Sequence, residues 1–103
     1  MTSMRRDPHL GFLVHNEGDH VGVAVEDVAP GRALVVYMDS GRETPVEVIE
    51  AIPLGHKIAL ADLPGDADLI EYGVRVGKTR VAIKRGQLVH VHNVRSARWQ
   101  ASR

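Results

Sequence analysis

The sequence contains no cysteine, which removes disulfides, thiolate metal sites and cysteine nucleophiles from consideration. Aromatic residues are almost as scarce: Phe12, Tyr37, Tyr72 and Trp99 are all there are, too few for a base-stacking platform. Thirteen Lys and Arg balance thirteen Asp and Glu, giving a formal net charge of +0 with histidine neutral. Generic nucleic-acid binding, which needs a basic excess, is therefore disfavoured. No apolar run approaches the roughly 20 residues of a membrane span. The opening "MTSMRRDPHL" lacks the apolar core of a secretory signal. With no membrane partner and no address, a cytoplasmic location is expected.

What is present fits an ordinary soluble domain: 103 residues, 44% hydrophobic and 25% charged. One domain spanning 1–103 is the natural count. Its ordered core is expected over about 12–94, with loose ends at 1–8 and 99–103.

Strand signals dominate. "FLVH" (12–15), "HVGVAV" (20–25), "ALVVYM" (33–38), "TPVEVIEAI" (44–52), "HKIAL" (56–60), "DLIEY" (68–72), "VRVGKT" (74–79) and "QLVHVHNV" (87–94) are short and rich in β-branched residues. Turn residues separate them in "NEGD", "APG", "DSG", "PLG", "LPGD" and "KRG". The pattern predicts a compact all-β fold with little helix. A single helical turn is expected in "DVAPG" (27–31), ended by Gly31. A weak echo links "VEDVAPGRA" (25–33), "LADLPGDAD" (60–68) and "VAIKRGQLV" (81–89), each reading strand end, short turn, glycine, new strand. The unequal intervals point to repeated strand-turn-strand geometry rather than a solenoid.

Three constellations could carry chemistry. In "LVHVHNV", strand alternation puts Leu88, His90, His92 and Val94 on one face. Two histidines roughly 6.5–7 Å apart along a strand suit a shared substrate anion or two ligands of a metal. Imidazole also titrates near neutrality, which suits proton transfer. The plain alternative is a pair of solvent-facing or hydrogen-bonded histidines. In "PLGHKIAL" (53–60), Pro53 and Gly55 force a turn, and His56 and Lys57 sit at the mouth of the next strand. Lys57 would hold a carboxylate as a point charge, or serve only as a solvated edge residue. In "VHNEGDH" (14–20), His15, Glu17, Asp19 and His20 could bind a metal; a polar hairpin loop with Gly18 at its tip explains them equally well. "GVRVGKT" (73–79) contains Gly-Lys-Thr but lacks the first glycine and the strand-to-helix setting of a phosphate loop.

"GDHVGVAVEDVAPG", "IPLGHKIALADL" with "IEYGVRVGKT", and "GQLVHVHNVRSARW" together resemble the SAF domain of the altronate and galactarate dehydratase family. The resemblance covers about residues 12–99, and its Gly-His-Lys-Ile-Ala and Val-His-x-His-Asn strings are specific. The small subunit of sulfolactate sulfo-lyase has the same architecture. The fold implied is a β-clip of bent hairpins, in agreement with the strand reading. Three positions depart from the family pattern. Gly65 comes one position early, leaving Asp66 at the expected glycine. Glu71 stands for a common lysine, and Ala82 for a common aspartate.

The resemblance implies the small subunit of a two-component lyase acting on 2-hydroxy or sugar acids. The reaction would be of the altronate or galactarate dehydratase type, removing water. The alternatives are a (2R)-sulfolactate sulfo-lyase small subunit removing sulfite, and a non-catalytic sugar-acid-binding SAF module. In these eliminations a base takes the proton α to a carboxylate and the β substituent leaves. The resemblance then casts His56 and Lys57 as catalytic, His56 moving the proton and Lys57 holding the carboxylate. It casts His90, His92, Asn93 and Arg95 as substrate-binding, with His90 and His92 also the candidate metal ligands. A divalent metal, iron(II) or similar, is expected mainly on a large catalytic subunit, without which the chain is expected to be inert. Self-association is left open. Val94, Arg95, Arg98 and Trp99 form a candidate docking segment, since arginine and tryptophan anchor interfaces.

Overall fold

Alternation of buried and open side chains runs through the strands and selects their pairing, because a strand shows one face to a core and the other away from it. The computed structural model describes residues 9–96. The strands are β1 (Leu10–Val14), β2 (Val21–Ala24), β3 (Gly31–Tyr37), β4 (Glu43–Val48), β5 (Lys57–Ala59), β6 (Asp68–Glu71), β7 (Val74–Thr79), β8 (Leu88–Val89) and β9 (Val94–Ser96). They form a six-stranded sheet in the order β4-β3-β1-β2-β5-β8 and a three-stranded sheet in the order β6-β7-β9. β1 and β3 run parallel; the other pairs are antiparallel. Pro45 lies in β4, an edge strand of the larger sheet, where a missing N–H is tolerated. Among the described residues there is no helix, and so none long and apolar enough to cross a membrane.

Two cores result. One packs Phe12, Val14, Val35, Val46, Val48, Ile52 and Ile58 inside the larger sheet. The other packs Val21, Ala59, Leu63, Leu69, Ile83 and Val89 between the sheets. β2 and β5 sit between them: Ala24 and Ile58 face the first core, Val21 and Ala59 the second. Burial on both faces explains the nearly continuous apolar runs of these two strands.

The echo in the sequence is real and occurs four times. Residues 27–31, 51–55, 62–66 and 82–86 each place an aliphatic residue in an isolated bridge or its partner, then turn at a residue with positive φ. The bridges pair Val28 with Ile52 and Leu63 with Ile83. The turning residues are Gly31, Gly55, Asp66 and Gly86. The two pairs of corners repeat even their side-chain bonds: Leu54 N donates to Asp27 Oδ1 and Arg85 N to Asp62 Oδ1, both at 2.8 Å. Asp66, at φ 58°, occupies the left-handed position that glycine fills elsewhere, and aspartate tolerates it best after asparagine and glycine. No helical turn forms over 27–31; Val28 is extended and bridged instead.

Two further expectations are corrected. The strand read over 44–52 stops at Val48, and the chain bends before Ile52 rejoins a bridge. The strand read over 87–94 is two strands, β8 and β9, separated by a turn at 90–93. The Gly-Lys-Thr string lies inside β7, where Gly77 permits close approach of β9: a methyl there would overlap the Arg95 carbonyl oxygen.

Thr79, fully buried on β7, bridges a corner by donating to Pro64 O at 2.6 Å and accepting from Ala67 N at 2.9 Å. Thr79→Val keeps the shape and strips both bonds. It should cost about 1–3 kcal/mol, read as a lowered urea midpoint with an unchanged slope.

Candidate functional site

An open groove of about 640 Å³ lies between the two sheets. Its floor is the uncovered edge of the second core: Leu69, Val76, Val89 and Val94. Its polar wall is His56, Lys57, Glu71 and His90, and Tyr72 and Val91 form an exposed apolar lip.

Backbone register brings the wall together. β5 pairs antiparallel with β8, Lys57 opposite Val89 and Ile58 opposite Leu88. One step outward on each strand sets His56 opposite His90, and their ring centroids are 5.1 Å apart. Gly55, at φ 82°, turns the chain so that His56 enters at the groove mouth; a side chain here would be strained. His56 Nδ1 lies 3.4 Å from the Leu54 carbonyl oxygen. That oxygen only accepts, so the contact favours the proton on Nδ1 and leaves Nε2 as the basic nitrogen.

Asn93 fixes the other side. It is buried, accepts from His90 N at 2.9 Å through Oδ1 and donates from Nδ2 to Leu88 O at 2.8 Å. It therefore closes the turn that carries His90 and does not itself line the groove. His92 lies exposed in this turn, outside the groove lining. The expected sharing of one strand face by His90 and His92 does not occur, because the turn interrupts the alternation; the ring partner of His90 is His56. Arg95, on β9, points to Asp66 at 3.9 Å and also lies outside the lining. Arg98 and Trp99 of the candidate docking segment fall outside the described residues, as do the expected loose ends.

Two carboxylates organise the rear of the site in roles that the sequence did not suggest. Glu71, at the end of β6, is buried and accepts from Lys57 Nζ at 2.6 Å. Tyr72 and Gly73 then make a tight hairpin into β7, both at positive φ. Asp19, 5% exposed, takes Tyr72 N at 2.9 Å, Gly73 N at 3.1 Å and Asn16 N at 3.2 Å. His20 Nδ1 accepts from Ile70 N at 3.0 Å. Thus Asp19 and His20 act as structural anchors for β6 and its hairpin. The rest of that loop is a clasp: Glu17 binds Arg42 through two bonds, at 2.8 and 2.9 Å. Hydrogen bonding to the Arg42 guanidinium holds the Glu17 carboxyl below its ordinary value. Because the folded value is depressed, the clasp contributes at neutral pH and is lost as pH falls through it.

Among the described residues there is no group of three or more His, Asp or Glu able to hold a metal. The carboxylate in the groove is bonded to Lys57, so the residues of this chain do not by themselves fit a metal centre. The groove offers two imidazoles, one ammonium and an apolar floor, with its mouth open.

A family model for the altronate/galactarate dehydratase SAF domain matches residues 10–97. The chain is 45% identical over 92 residues to the (2R)-sulfolactate sulfo-lyase subunit alpha of Chromohalobacter salexigens, covering 87% of this chain and 98% of that one. It is 32% identical over 85 residues to altronate dehydratase of Bacillus subtilis, covering 82% of this chain and 16% of that enzyme. It is 32% identical over 84 residues to galactarate dehydratase (L-threo-forming) of Escherichia coli, covering 80% of this chain and 14% of that enzyme. The chain thus spans nearly all of the sulfo-lyase subunit and only a small part of either dehydratase.

Asp19→Asn leaves one oxygen to serve three amides. Bonds to a charged acceptor are worth about 1.5–3 kcal/mol, so exchange protection at the Tyr72 and Gly73 amides should fall by about 10–100-fold in hydrogen-exchange NMR. Amides of β3 should report only any change in global stability.

Proposed function

The chain belongs to the SAF-domain family of altronate and galactarate dehydratases, and from that premise we propose that it is the small subunit of a two-component lyase acting on a 2-hydroxy acid. The observation that carries this reading is the groove. His56, His90 and Lys57 converge on one open face, yet the set is incomplete for an elimination. A larger subunit supplies the remainder and closes the mouth.

In the reaction proposed, a base removes the proton from the carbon bearing the carboxylate and hydroxyl. Its electron pair forms a carbon–carbon double bond, and the substituent on the next carbon leaves with its own bonding pair. The enol then becomes a 2-oxo acid. His56 Nε2 is the proposed base, and His90, within ring contact, orients it or relays the proton. The Lys57 ammonium holds the substrate carboxylate. Asn93 contributes by fixing the turn beneath His90. A divalent metal would be held mainly by the larger subunit, since this chain offers at most the His56–His90 pair. The end-to-end match to the sulfo-lyase subunit favours sulfite as the leaving group. Loss of water from an altronate- or galactarate-type acid is the second reading, supported by the matches to the two dehydratases. The groove's polar wall counts against a purely non-catalytic module. A cytoplasmic site suits this metabolic role.

The test is reconstitution. The chain alone should turn over none of sulfolactate, altronate or galactarate; with its large subunit it should turn over one of them. Loss of a positioned acid–base group typically lowers the rate by about 10²–10⁴-fold. His56→Gln and His90→Gln should fall in that range while His92→Gln stays near wild type. Robust turnover by the chain alone, or near-normal rates for both groove variants, would overturn the proposal.

A further inference from the structure

We propose that Glu71 is the positioning residue for Lys57, and thereby sets where a substrate carboxylate rests in the groove. The inference rests on the groove being the active site. Its own observation is the asymmetry of the ion pair: the Glu71 side chain is 5% exposed, whereas the Lys57 side chain is 39% exposed. A buried carboxylate is costly unless paired and hydrogen-bonded, and Lys57 is the partner, 2.6 Å away. An ammonium has three donors. One is committed backwards to Glu71, which leaves two at the groove wall.

Among the described residues, Lys57 is the one lysine or arginine lining the groove, which His56, His90 and Tyr72 also line. A free lysine side chain would sweep a wide volume, since its four-carbon stem is flexible. Glu71 removes that freedom. It is itself held in place: it ends β6 opposite Val74, across a hairpin whose two turn amides are bound by Asp19. The pair also carries no net charge, so the groove gives up ground-state attraction for an anion in exchange for a fixed donor geometry. Interactions that count for rate are those aligned with the transition state, not those that merely tighten substrate binding.

The experiment is steady-state kinetics of the reconstituted complex, after checking that each variant keeps its thermal transition and co-purifies with the large subunit. Glu71→Gln keeps an acceptor but removes the charge. It should lower kcat by about tenfold or more while KM does not rise, because the loosened ammonium still attracts the anionic substrate. In the Lys57→Met background the same change should add no further loss in kcat, since contacting residues are not additive. If Lys57→Met costs activity but Glu71→Gln keeps wild-type kcat, or if the two losses simply multiply, the positioning role is wrong and the groove reading survives. If Lys57→Met itself changes neither kcat nor KM, both fail. Should Glu71→Gln not assemble, Glu71→Asp is read instead: it keeps the charge and shortens the reach by one methylene. A lowered kcat at unchanged KM then supports the role, and wild-type kcat overturns it.

Discussion

Two backbone pairings, Lys57 with Val89 and Ile58 with Leu88, set the geometry of the groove. They leave His56 and His90 as the next residues outward, at the end of a two-rung ladder, with their rings in contact. A slip of one residue would pair His56 with a valine and reverse every side chain of β8. The register is protected on three sides. Ile58, Ala59 and Val89 are locked into the two cores. Gly55 sets the entry into β5, and the Asn93 amide seals the exit from β8. Short strands hold well-placed side chains here because the corners around them are bridged and hydrogen-bonded.

Those corners are one solution used four times, with the same bridge, the same positive-φ exit and, in two of them, the same aspartate bond to a partner amide. The residue after each exit differs: Arg32, His56, Ala67 and Gln87. Only the second corner delivers an imidazole to the groove. The scaffold is therefore a repeated backbone device, and the site is placed on it by side chains at one corner and one turn. That separation is how a fold and a candidate site come to be specified independently.

The strands were legible because β-branched alternation and turn residues coincide throughout, as in "ALVVYM" and "VRVGKT". His56, Lys57 and His90 were legible as candidates from their strings, and all three line one groove. The break at 90–93 was not, because Val89, Val91 and Val94 continue the look of a strand. A side chain decides the matter: Asn93 offers the backbone of Leu88 and His90 an alternative to the ladder, the usual way asparagine competes with sheet structure. "DVAPG" misled for a related reason, since its helix-like turn residues serve a β corner. The anchoring roles of Asp19 and Glu71 were invisible because their partners lie 53 and 14 residues away, and no local pattern reports a long-range hydrogen bond. Their signal was indirect: an acidic residue inside a loop and another ending an apolar strand, each needing a partner once buried.

The proposed function requires the groove to face a larger partner. The lip carries Tyr72 at 54% and Val91 at 53% exposure, apolar surface set around a polar wall, as in an interface core awaiting its other half. Since the chain has no cysteine, a single introduced thiol is the one thiol on this chain, and labelling is read on this chain alone. Val91→Cys places it on the lip; Glu43→Cys places it on β4, at the opposite edge of the larger sheet. The direct measurement is the rate of thiol labelling at each position with and without the large subunit. If the groove faces that subunit, its presence slows labelling at position 91 by about tenfold or more and leaves position 43 unchanged. Equal labelling at 91 in the active complex, or protection at 43 alone, would contradict it.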